Sequence, residues 1–195
     1  MPEATRRLML LGGLALAGCE AIPPRAQFAE ITFAHLPRIA LDVARIEIVD
    51  DFVAPLEPPH VEREFPIEPA AVVRRWAGDR VDVMGLNRIL RHVVTDASAT
   101  EEALGTQSGV TGFFTNDQKK RYALALAARL EIVADDSRFV EAHVAARADG
   151  SVTVAEDATL DERDRKLYRL TEQVAQALDR ELEAALRRHM SAYVR

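Results

Sequence analysis

The sequence predicts an α+β fold: an antiparallel sheet of about four strands with two helices packed on one face, in the order β-α-β-β-β-α. Three observations lead there. An apolar alternation runs unbroken from Tyr122 to Ile132 and resumes from Val140 to Val154, the period of half-buried strands. Apolar residues at helical spacing run from Leu167 to Leu186 with a charged face opposite, as in a helix lying on a sheet. Five prolines between Phe52 and Pro69 break the chain between an early strand and a first helix. Runs of strands with helices set apart make a sheet layer under a helix layer.

The first residues read as an export signal. Arg6 and Arg7 form a basic start, and Leu8 to Ala17 form an apolar stretch of ten residues. Small residues then lead to Cys19, the chain's single cysteine. The stretch is too short to span a bilayer, which takes about twenty apolar residues. Leu16-Ala17-Gly18-Cys19 resembles the lipobox of bacterial lipoproteins. The resemblance implies cleavage before Cys19, a thioether from Cys19 to diacylglycerol, and acylation of the new amino group. Several acyl chains hold a protein on a membrane stably where one would not. The implied place is the periplasmic side of a bacterial envelope. Glu20, standing where aspartate would retain a lipoprotein at the inner membrane of enteric bacteria, favours the outer membrane. Thr5 to Leu10 also loosely resembles a twin-arginine export signal.

The implied organisation is a signal peptide over 1–18, a lipidated Cys19 with its tether over 19–37, and one α+β domain over 38–195. Losing Glu3, Arg6 and Arg7 with the signal moves the net charge from -6 to -7. Anionic headgroups repel such a surface, so attachment falls to the lipid on Cys19. The same charge, without a basic stripe, argues against nucleic-acid binding.

The elements follow in order. Ala21 to Gln27 is extended by Pro23 and Pro24. Arg38 to Asp50, rich in branched residues, predicts a strand. Phe52 to Pro69 predicts an extended loop. Pro69 opens a helix, where its missing N–H costs nothing, and the spacing of Val72, Val73, Trp76, Arg80, Val83 and Met84 carries it to a stop at Gly85. Trp76 is then a core residue. Arg91 to Leu104 predicts a strand with weaker alternation. Leu104 to Lys120 is a Gly/Thr/Ser loop carrying Phe113 and Phe114, two adjacent aromatics that cannot both point inward from a regular element. They are candidate partner-binding residues, together with the Pro55–Pro66 loop.

The long strand Tyr122 to Ile132 is followed by a turn at Asp135-Asp136-Ser137. Asp149-Gly150 would ordinarily signal a hairpin. Val152 and Val154 keep the parity of Val140 to Ala148, however, so one long strand with a bulge at Gly150 is expected. Thr159 and Glu162 have capping-box spacing and open the last helix. Its stripe is Leu167, Leu170, Val174, Leu178, Leu182, Ala185, Leu186 and His189.

No catalytic, metal or cofactor motif is found. His35, His60, His92, His143 and His189 are scattered, without zinc spacing. No nucleophile elbow or phosphate loop occurs. A binding or scaffolding role in an envelope protein complex is favoured over an enzyme.

The order of elements, with the Leu16–Cys19 lipobox, the Ile39–Val49 strand, the Pro69–Met84 helix, the Tyr122–Ile132 strand and the closing amphipathic helix, resembles the auxiliary lipoproteins of ABC-type lipid transporters. The resemblance implies a non-enzymatic accessory subunit of such a system. The alternatives are an activator or assembly factor for cell-wall or lipopolysaccharide machinery and, further off, an envelope hydrolase.

Overall fold

The computed structural model describes residues 27–104, 119–134 and 139–195. Its strands are β1 (Ile39–Leu41), β2 (Arg45–Asp50), β3 (Val81–Val83), β4 (Arg88–Asp96), β5 (Ala99–Leu104), β6 (Lys119–Ala134) and β7 (Val140–Ala155). Its helices are α1 (Pro69–Arg80) and α2 (Leu160–His189). The fold is α+β, with a mostly antiparallel sheet, as the alternation and the helical stripe require.

The main sheet is built around β6. On one side β6 pairs antiparallel with β4 over its C-terminal half and with β5 over its N-terminal half. On the other side it pairs with β7 from Lys119–Ala155 to Val133–Val140. β2 lies outside β4 and runs parallel to it, Ile48 opposite His92. β1 and β3 form a separate parallel pair.

Even-numbered residues of β4, β6 and β7 face the helices. Leu90, Val94, Leu126, Leu130, Ile132, Val144 and Val154 join Trp76, Leu167, Val174, Leu178 and Leu182 in one core. The core includes Ile31 and Phe33, and Phe28 stacks on Tyr168, so the chain packs ahead of β1.

Several expectations need correcting. The expected helix to Met84 ends at Arg80, and Val81 turns extended to start β3. β3 can pair with β1, so Val81 to Val83 gain ladder partners that a further helical turn would not give. Gly85 is no helix cap. A Cβ there would lie 2.6 Å from the Asp42 carbonyl carbon, so the glycine admits a close backbone approach. The expected strand Arg38–Asp50 divides at Asp42 into β1 and β2, which pair in different sheets.

β7 runs through Gly150 as one strand, and the register stays unbroken there. The bulge lies instead at Ile132/Val133. The reason for Gly150 is the helix above it. A Cβ would come within 3.0 Å of Val174 and 3.1 Å of Leu170. The Thr159–Glu162 capping box forms in both directions. The α2 stripe is buried from Leu167 to Leu186, but His189 is exposed at the helix end. The turn expected at 135–137 lies outside the described residues.

Candidate functional site

Cys19 and the Phe113-Phe114 pair lie outside the described residues. Leu104 and Lys119, which flank the loop that carries the two phenylalanines, pair with each other at one end of the sheet. Phe28 meets α2 at Tyr168 towards that same end, since α2 starts just after β7 finishes beside Lys119. Phe28 therefore lies towards the end of the sheet at which Leu104 and Lys119 pair.

The Pro55–Pro66 loop is described, and it runs along the free edge of β5. The Val61 N–H donates to the Ala99 carbonyl and the Glu101 N–H donates to the Pro59 carbonyl. The Glu62 carboxylate is buried beneath it. It accepts the Ala99 N–H at 2.9 Å and meets His60 Nδ1 at 2.9 Å. These bonds fasten the loop to the sheet, bury Glu62 and leave the side chains of residues 55–59 exposed. Val53 and Leu56 are 84% and 71% exposed.

Two clefts flank the turn that follows. One, of about 420 Å³, lies between Phe52, Phe65, Ala70 and Ala97 with Glu62 on its wall. The other, of about 460 Å³, lies between Phe28, Phe65, Pro66, Leu160 and Arg163. Phe65 and Arg63 border both. Open clefts of this size, with aromatic and charged side chains mixed in their walls, can seat side chains of a docking segment. The Pro55–Pro66 loop was legible in the sequence; the clefts were not. Phe28, Phe52 and Phe65 converge from positions far apart in sequence.

Two polar clusters elsewhere are structural. Arg80 and Asp179 join α1 to α2, with the Trp76 indole N–H also donating to Asp179 at 2.8 Å. Arg80 pairs as well with Glu183. On the face away from the helices, Glu131 takes bonds from Arg129 at 2.7 Å and Arg91 at 3.0 Å. Burial raises the Glu131 pKa, but those two guanidinium groups outweigh it and hold the carboxyl below its usual range. Paired this way, the arginines neutralise their own neighbours.

His92 is buried, edge-on to Trp76 at 5.8 Å. Both of its ring nitrogens lack a partner among the described residues. Burial pushes it down to about 4, against the weaker pull of Asp50. A neutral ring in the core is a packing group. His143 and His35 are exposed, and the described residues hold no cluster of metal-ligating side chains. No described helix is long and apolar enough to cross a membrane.

No protein-family profile matches the chain, and no curated protein does. Solved structures with partial likeness include several bacterial lipoproteins. The chain is similar to a minor lipoprotein from Acinetobacter baumannii, with 12% identity, 72% of this chain and 90% of that one covered, and a TM-score of 0.37. It is similar to rare lipoprotein B from Shewanella oneidensis, with 15% identity, coverages of 76% and 95%, and a TM-score of 0.34. It is also similar to an uncharacterized lipoprotein B from Nitrosomonas europaea, with 14% identity, coverages of 83% and 96%, and a TM-score of 0.39.

Proposed function

We propose that this chain is a lipid-anchored envelope lipoprotein, and within that class an accessory subunit of an ABC-type lipid transport system on the periplasmic side. The observation that carries the reading is the single cysteine placed behind Leu16-Ala17-Gly18 at the end of a signal-like apolar stretch. Acylation of Cys19 supplies the membrane hold that the acidic domain does not. The preference for the outer membrane rests on Glu20.

The domain's role is to contact a partner. The contact surface is the Pro55–Pro66 loop with its two clefts, and Phe113 and Phe114 are the further candidate contact residues. Leu56 on this loop and Val53 just ahead of it are exposed and support this surface, because they lose no internal packing on docking. Aromatic anchors carry a large share of interface energy.

The test is cross-linked affinity purification of the full-length protein from native membranes, with Cys19→Ser as control. Transporter permease or lipid-binding subunits that vanish in the control support the accessory-subunit reading. Cell-wall synthases or lipopolysaccharide-assembly proteins in their place overturn it in favour of that machinery.

A further inference from the structure

The two sides of the main sheet end differently. Beside β5, the Pro55–Pro66 segment takes up the free backbone groups, and its prolines bar further pairing. β7 has no such cover among the described residues. It pairs only with β6, is 16 residues long, and contains neither proline nor lysine.

The direction of its free backbone groups follows from three bonds. The Ala125 N–H donates to the Ser98 carbonyl, so odd-numbered residues of β6 bond towards β5 and β4. The Ala134 N–H donates to the Phe139 carbonyl, so even-numbered ones bond towards β7. Leu126 opposes Ala148 and Leu124 opposes Gly150, so even-numbered residues of β7 are the ones bound to β6. The odd ones, His143 to Thr153, therefore turn their N–H and C=O groups outward. The Thr153 carbonyl agrees, since it accepts from Lys166 Nζ at 3.1 Å on the outer side. The same odd residues carry exposed side chains.

An antiparallel strand added to this edge must pair odd with odd. If that strand is β7 of a second copy, the two-fold axis can pass through only a few residues. An axis at Arg147 sets Arg147 against itself, and an axis at Asp149 sets Asp149 against itself; both oppose like charges. An axis at Ala148 sets Arg147 of each copy opposite Asp149 of the other. It also sets Ala145 opposite Ser151. On the helix side the same register brings Ala146 opposite Gly150 and Val144 opposite Val152, small or apolar throughout. In the single chain Arg147 reaches across β6 to Asp96 of β4 at 2.5 Å, and with its side chain 57% exposed it can swing out to Asp149 of a second copy. The window Ala145–Ser151 stays clear of Lys166.

We infer that β7 is a homodimerisation edge: two copies join antiparallel through Ala145–Ser151 about an axis at Ala148, continuing one sheet across both. Self-complementarity of one surface is what a two-fold interface demands. The charge pattern favours a second copy over an unrelated donated strand.

Cysteine pairs in the full-length protein test this. Ala145→Cys with Ser151→Cys on one chain should give a disulfide-linked dimer on mild oxidation in native membranes, and each single variant should not. A cross-link from either single variant as strong as from the pair overturns the register. A cross-linked product containing a different protein overturns the second-copy reading in favour of strand donation. Charge reversal tests the same contact without cysteine. Arg147→Asp or Asp149→Arg alone should weaken dimerisation about tenfold, and the double exchange should restore it, with each variant still folded by circular dichroism. A chain that stays monomeric in the detergent-extracted wild type, or a double exchange no better than the singles, overturns the proposal.

Discussion

Arg80 of α1 donates through Nε to the carboxylate of Asp179 on α2 at 2.6 Å, with both side chains almost wholly shielded from water. The pair is the polar link between the two helices above the sheet. Asp179 also takes the Trp76 indole N–H, so it satisfies two donors on consecutive turns of α1. Removing the carboxylate leaves the buried indole N–H without its acceptor and the buried guanidinium with Glu183 alone. Asp179→Ala should cost about 2–4 kcal/mol. Thermal melting should show a fall of about 10 °C, and retention of the wild-type midpoint would refute the assignment.

His92 sets an acid limit on the fold. Its folded pKa is pushed down to about 4 from an ordinary 6.5 by burial. The unfolded chain therefore takes up a proton at a higher pH than the folded one. Stability is full above about pH 6.5, falls as pH drops towards 4, and loses nothing further from this group below that. The loss amounts to about 3 kcal/mol. His92→Leu should flatten this part of the stability profile against pH while leaving the steeper carboxylate-driven loss below it.

Gly150 tests why the long strand contains a glycine. Valine is the better strand former, yet its Cβ would press on Val174 and Leu170. Gly150→Val should lower stability by about 2 kcal/mol through overpacking. A stabilised Gly150→Val variant would mean that α2 can lift off β7 at no cost.

The contact surface makes a separate prediction. Val53→Ser with Leu56→Ser, or Phe113→Ala with Phe114→Ala, should reduce partner recovery from membranes severalfold and leave the melting temperature within a degree or two of wild type. A large fall in melting temperature would place those side chains in the core instead.

What the sequence disclosed and what it hid have physical reasons. The alternation of Tyr122 to Ile132 and the stripe on α2 each bury one face against a large partner, so their periods survive in the sequence. The capping box is purely local and could be read outright. β3 could not be separated from α1, because Val81 to Val83 continue a helical spacing and only the distant β1 decides their conformation. Gly150 and Gly85 carry tertiary reasons, an overlying helix and a crossing backbone, that local turn chemistry does not encode. The Pro55–Pro66 loop announced itself by composition. The clefts beside it did not, since Phe65 shares one with Phe52 and the other with Phe28 only in the folded chain.

The central claim is that Cys19 ties this domain to a membrane. It is tested most directly by mass spectrometry of the N-terminal peptide of protein isolated from native membranes. A peptide beginning at Cys19 and carrying diacylglyceryl and N-acyl groups is the expected result. A peptide that retains residues before Cys19 with a free thiol would contradict the claim and remove the basis for an envelope lipoprotein.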